Sequence, residues 1–86
     1  MYKIIYKKKA VKALAKCPRE IALRFRSAFE GIAAGKQQGL SIKPLEGLDG
    51  FRFRLRIGSY RAIYELDNGA LIVTVFNVGS RGDIYK

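Results

Sequence analysis

The sequence predicts an α+β domain: a short N-terminal strand, a two-helix hairpin, then a three-stranded antiparallel meander packed against the helices. Two periodicities and two turn signals carry that prediction. Apolar residues recur at helical spacing from Ala10 to Ile32, and a period of two takes over after Gly50. Gly58-Ser59 and Asn68-Gly69 then punctuate the second half at hairpin spacing.

The elements follow in order. "YKIIY" (2–6) is rich in β-branched and aromatic residues and reads as the first strand. From Lys7 onward Ala10, Val11, Leu14 and Cys17 fall on one helical stripe, with Lys8, Lys9, Lys12 and Lys16 largely outside it. Pro18 restarts the chain, since its fixed φ suits the first turn of a helix, and Glu20 suits that turn's positive end. Ile21, Phe25, Ala28, Phe29 and Ile32 form one continuous apolar stripe, so a second helix runs to about Ala34. The segment 35–50, "GKQQGLSIKPLEGLDG", has four glycines and a proline and reads as a loop carrying Leu45 and Leu48 to the core.

Three strands complete the chain. "FRFRLRI" alternates strictly, "YRAIYEL" alternates partly, and "ALIVTVFNV" is nearly all apolar, as an interior strand is. Gly58-Ser59 suits a type II′ turn, and Asn68-Gly69 suits a type I′ turn. With no repeat, low-complexity tract or linker, residues 1–86 read as one domain.

The first turn fixes a register. With Gly58 and Ser59 as loop residues, Ile57 pairs with Tyr60, Arg56 with Arg61, Leu55 with Ala62, Arg54 with Ile63, Phe53 with Tyr64 and Arg52 with Glu65. Phe51, Phe53, Leu55, Ile57, Tyr60, Ala62, Tyr64 and Leu66 then share the face toward the helices. Arg52, Arg54, Arg56 and Arg61 crowd the other, with Glu65 as the local carboxylate. Arginines two apart on a strand lie about 6.8 Å apart at Cα, and an opposed like-charged pair is destabilising. A merely solvated face mixes signs. The pattern points to an anion-binding surface, and the planar guanidinium fork matches phosphate oxygens better than an ammonium does.

Charge points the same way. Seventeen Lys and Arg against seven Asp and Glu give a net +10 over 86 residues. Such a surface attracts a phosphate backbone, anionic lipid or an acidic protein. Lys7, Lys8 and Lys9 are either ordinary exposed lysines or a steering patch. Cys17 is the only cysteine and there is no histidine, which excludes an internal disulfide, a Cys/His zinc site and a Cys–His nucleophile pair. No cofactor or metal is expected. The N-terminus lacks a signal-peptide pattern and "ALIVTVFNV" is too short for a membrane span. No membrane partner and a cytoplasmic location are the expectation.

The stretch from Phe51 onward resembles the C-terminal half of the RelE/ParE-superfamily toxins of type II toxin–antitoxin pairs, RelE-like members above all. The likeness rests on the basic strand, the "G-x-YR-x-IY" hairpin, the apolar strand and "VGSRGDIYK", which fits a "VG-x-R-x-x-x-Y" ending. The "IKPLEGLDG" segment and the strand–helix–helix start fit too. The resemblance implies a microbial-RNase-like fold and a ribosome-dependent mRNA endonuclease, acting in the ribosomal A site through attack of the 2′-hydroxyl on the adjacent phosphate. It implies active-site roles for Arg52, Arg54, Arg61, Arg81 and Tyr85.

Among these, Arg61 and Arg81 suit stabilisation of the phosphorane. Arg52, Arg54 and Arg56 suit phosphate binding, because arginine cannot serve as an ordinary base where some relatives carry lysines. Tyr85 suits either acid/base chemistry or stacking on an mRNA base. The implied partners are an acidic RelB-like antitoxin, the ribosome and mRNA, with the free toxin a monomer and the antitoxin complex a hetero-oligomer. The alternatives are a ParE-like DNA gyrase inhibitor that cuts no RNA, and an inactive relative that only binds its antitoxin.

Overall fold

A computed structural model describes residues 1–45 and 52–80. The elements are β1 (Lys3–Tyr6), α1 (Lys8–Lys16), α2 (Arg19–Ala33), β2 (Ser41–Pro44), β3 (Arg52–Ile57), β4 (Tyr60–Asp67) and β5 (Ile72–Ser80). They build one five-stranded sheet in the order β1-β5-β4-β3-β2. β1 runs parallel to β5, and every other neighbour pair is antiparallel. The expected meander is therefore the heart of the sheet, extended by a strand at each edge. No helix among the described residues is long and apolar enough to cross a membrane.

Both helices cover one face. Ala10 and Leu14 of α1 and Phe25, Ala28, Phe29, Ile32 and Ala33 of α2 meet Leu55, Ile57, Ala62, Tyr64, Val73, Val75 and Val78 of the sheet. The stripes read from the sequence supply the buried Ala10, Leu14, Phe25, Ala28, Phe29 and Ile32, with Cys17 and Ile21 half-buried; Val11, expected on the α1 stripe, is instead exposed. Aromatic rings organise the centre. Phe29 meets Tyr64 edge-on at 5.4 Å and Tyr6 edge-on at 6.1 Å, while Phe53 stacks on Tyr64 at 5.5 Å. Such pairs add about 0.5–1.5 kcal/mol each beyond the area they bury.

The ends of α2 explain its length. Pro18 sits just before the first helical residue rather than inside the first turn, and its carbonyl accepts the amides of Ile21 and Ala22 at 3.0 Å. At the other end Lys36 N–H donates to Gly31 O at 2.7 Å and Gly35 N–H to Ile32 O at 3.0 Å. Gly35 has φ +81°, so the helix closes in a Schellman motif with glycine where a Cβ would be strained.

Two local expectations differ. The segment 35–50 does not remain loop throughout, because Ser41–Pro44 forms β2 against β3, and Leu45 N–H extends the pairing to Arg52 O at 3.0 Å. Its core anchors are Leu40 and Ile42; Leu45 is half-buried, and Leu48, like Phe51, lies outside the described residues. The second hairpin also differs. Asp67 pairs with Ile72, so four residues make the loop, and the positive φ (57°) falls on Leu71 instead of Asn68 and Gly69. Asp67 Oδ1 accepts Ala70 N–H at 3.0 Å, a side-chain turn that replaces the type I′ turn.

Tyr64 is fully buried, and burial pushes its phenol up to about 12 from an ordinary 10. The fold thus favours the neutral phenol. That contribution is whole below pH 10 and is lost as pH rises toward 12, a difference of about 2–3 kcal/mol. In denaturant titrations the native chain should lose about this much more stability over that interval than Tyr64→Phe. Parallel pH profiles for the two would contradict burial as the cause.

Candidate functional site

The β3–β4 register is the one the turn dictates. Arg52 pairs with Glu65, Arg54 with Ile63, Arg56 with Arg61, and Ile57 with Tyr60 across Gly58-Ser59. Gly58 has φ +59°, the value a type II′ turn requires at its first central position. Leu55, Ala62 and Tyr64 are buried beneath the helices. Cross-strand partners share a face, so Arg52, Arg54, Arg56 and Arg61 stand together on the face turned away from the helices. Glu65 Oε2 lies 3.9 Å from Arg52 Nε, a long ion pair between groups about one-third exposed. Asp67, farther along the strand, has a carboxylate oxygen on Ala70 N–H.

The arginines differ in how they are held. Arg56 is exposed, and its Nε donates to Gly58 O at 3.3 Å, tying the side chain to the turn. Arg52 and Arg61 are half-buried, and the Nε of each is enclosed without a hydrogen-bond acceptor among the described residues. A buried donor left this way costs about 1–3 kcal/mol, and the deficit disappears when an anion supplies oxygen. The Arg52 guanidinium also lies over the Phe76 ring, its carbon 4.5 Å from the centroid.

Phe76 stands on this face at a bulge. On β5, Tyr64 pairs with Val75 and Ile63 with Asn77, leaving Phe76 unopposed. The buried positions accordingly run Val73, Val75, Val78, a step of two and then of three. Asn77 Oδ1 accepts the Val78 amide at 2.9 Å at this irregularity. Reading "ALIVTVFNV" as evenly apolar missed Phe76. The signal available was the failure of Val73, Val75 and Val78 to keep one parity. Lys43 was missed as well, because the loop reading hid it. β2 pairs Lys43 with Arg54 and Ser41 with Arg56, which adds a lysine and a hydroxyl to the basic face.

Arg81 and Tyr85 lie outside the described residues. β5 ends at Ser80, opposite Tyr60, with Gly79 opposite Arg61. Cys17 caps the end of α1, half-buried against the core, and burial pushes its thiol up.

Comparison with known families decides the class. The model of the family described as "ParE toxin of type II toxin-antitoxin system, parDE" matches residues 4–85. The chain belongs to this family. Solved structures agree with the assignment. In the archaeal RelE–RelB complex from Pyrococcus horikoshii the matching chain is 27% identical, with a TM-score of 0.77 and coverage of 95% of this chain and 97% of that one. The RelB–RelE antitoxin–toxin complex from Methanococcus jannaschii gives 25% identity, a TM-score of 0.77 and 94% coverage of both chains. The toxin–antitoxin complex RelBE2 from Mycobacterium tuberculosis gives 27%, a TM-score of 0.74, and 93% and 98%. A search of curated proteins finds no match. The protein is a RelE/ParE-superfamily toxin with the RelE-type α+β fold.

The toxin's basic face carries a stability cost that can be measured. Arg61→Gln removes one member of the opposed Arg56–Arg61 pair and an unsatisfied donor. It should raise the free energy of unfolding by about 0.2–1 kcal/mol at low ionic strength, and by less in 1 M salt as screening takes over. A loss of stability would mean Arg61 is held by contacts that favour the folded state.

Proposed function

We propose that this toxin is a ribosome-dependent mRNA endonuclease that arrests translation and is held in check by an acidic antitoxin. The supporting observation is the common face of Arg52, Arg54, Arg56 and Arg61, with the Nε atoms of Arg52 and Arg61 enclosed and without an acceptor among the described residues. Donors arranged in advance, without having to reorganise, favour a transition state that gathers negative charge on phosphate oxygens.

In the reaction the ribose 2′-oxygen bonds to the adjacent phosphorus and the bond from phosphorus to the 5′-oxygen breaks. The 2′ proton leaves, a proton reaches the 5′-oxygen, and a cyclic phosphate or, after water adds, a 3′-phosphate remains. Arg61 and Arg81 stabilise the phosphorane, while Arg52, Arg54 and Arg56 orient the phosphate. Gly79 lies opposite Arg61, two residues before Arg81, which favours including Arg81. With no histidine, no side chain has an ordinary pKa near neutrality. Tyr85 is therefore the proton-transfer residue, and the ribosome supplies the substrate alignment that a site without a strong base needs. Cleavage of free RNA is correspondingly weak.

The antitoxin assignment draws on the relatives' structures, which are complexes with RelB, and on the charge of +10. A RelB-like acidic chain laid over the arginine face would neutralise it and exclude RNA. A second reading follows from the family match itself: a ParE-type toxin that poisons DNA gyrase without cutting RNA. The arginine face favours cleavage.

Purified toxin added to ribosomes programmed with mRNA tests the choice. Translation-dependent cuts support the endonuclease, whereas gyrase-linked DNA breaks with intact mRNA support the second reading. Arg61→Ala and Arg81→Ala should each slow single-turnover cleavage by about 10²–10³-fold. Tyr85→Phe should slow cleavage more than it weakens ribosome binding; a pure binding defect would reduce the tyrosine to a stacking platform.

A further inference from the structure

A second basic surface lies outside the arginine face. A groove of about 440 Å³ opens between the second half of α2, the turn leading into β2, and the tip of the β3–β4 hairpin. Arg24, Lys36 and Arg56 line it, with the hydroxyls of Ser27 and Ser41 and the amide of Gln38. Among the described residues no carboxylate lines it, and none pairs with these three cations. Its floor includes the buried Ala28 and Ile57 and the half-buried Leu40.

The position of Lys36 is built into the fold. Its amide closes the Schellman motif on Gly31 O at 2.7 Å. Its carbonyl passes 3.0 Å from where a Gly31 Cβ would stand. Glycine at 31 thus lets the turn sit tight against α2 and sets the Lys36 backbone at the groove. Arg56 links the groove to the basic face, since its strand neighbours there are Arg61 and Ser41.

We infer that this groove binds the phosphodiester backbone of RNA outside the bond that is cut, which makes it a docking track running on from the arginine face. The inference rests on the RNA-directed reading of that face. Cations, hydroxyls and an amide are the donors that phosphates take. A protein segment needs exposed apolar anchors as well, and apart from the half-buried Leu40 the large exposed apolar side chains among the described residues lie elsewhere: Val11 and Leu23 by the α1–α2 groove, and Met1, Ile5 and Leu71. The chemistry of this groove is that of a polyanion site.

The test is the double variant Arg24→Gln with Lys36→Gln, which leaves all four arginines of the hairpin in place. Affinity for mRNA-programmed ribosomes and for a free RNA hairpin is measured across a salt series, and cleavage is followed in single turnover at saturating ribosomes. Affinity should fall about tenfold or more near 0.1 M salt. The slope of log affinity against log salt should become shallower by about 1–2, with the saturated cleavage rate unchanged. Equal affinity and slope for variant and native toxin would overturn the inference, as would a loss confined to binding of the acidic antitoxin. If native toxin binds RNA but cuts none, the endonuclease reading fails while the binding arm still decides on the groove.

Discussion

The fold and the basic face both depend on one register, the pairing of β3 with β4 across Gly58-Ser59. Strand side chains alternate, so a one-residue slip would turn Arg52, Arg54 and Arg56 toward the helices and bring Phe53, Leu55 and Ile57 out to water. Leu55, Ala62 and Tyr64 have no exposed surface at all. A guanidinium in their place would face Phe25 and Phe29 and have to be desolvated without a partner. The apolar demand of the core therefore places the arginines. Function needs no separate device to gather them, only a glycine able to adopt φ +59° at the turn.

The bulge in β5 solves a second problem of the same kind. β5 lies between β1 and β4 and must bury side chains along most of its length. A regular strand of nine residues would place either Val73 and Val75 or Val78 in the core, but not all three. One unopposed residue, the outward-facing Phe76, lets Val78 join Val73 and Val75 in the core. Phe76 lies beneath the Arg52 guanidinium, where a cation over a ring is worth about 0.5–1 kcal/mol or more. Phe76 and Glu65 approach Arg52 from different strands, which narrows the conformations open to that side chain.

Legibility in the sequence followed the strength of local signals. The α2 stripe, the strict alternation of β3 and the Gly58-Ser59 turn each determine their element without help from distant contacts, and the hairpin face came directly from them. β2 was illegible because four residues, "SIKP", give too short an alternation and include a proline. Proline is tolerated there because β2 is an edge strand. The second turn was misread for a related reason. Asn68-Gly69 favours a two-residue loop in isolation, yet the Asp67 pairing with Ile72 and the Asp67 carboxylate on Ala70 N–H select a four-residue one. Phe76 stayed hidden because a bulge shows in sequence only as a change of parity. Lys43 was lost along with β2.

The arrangement separates stability from binding by face. Side chains that hold the chain together lie between the sheet and the helices, while those that repel one another lie on the far side. A domain of this size is only marginally stable, so a row of like charges and two unsatisfied guanidinium nitrogens draw on a small reserve. An anionic partner removes both deficits at once, because it supplies oxygen acceptors and cancels the repulsion. Any such partner stabilises the folded chain by mass action. On the proposed reading, antitoxin and RNA meet the same arginine face, so whichever is bound excludes the other. Neutralisation by the antitoxin then needs no change of shape in the toxin, only occupation of the donors that the hairpin register already holds together.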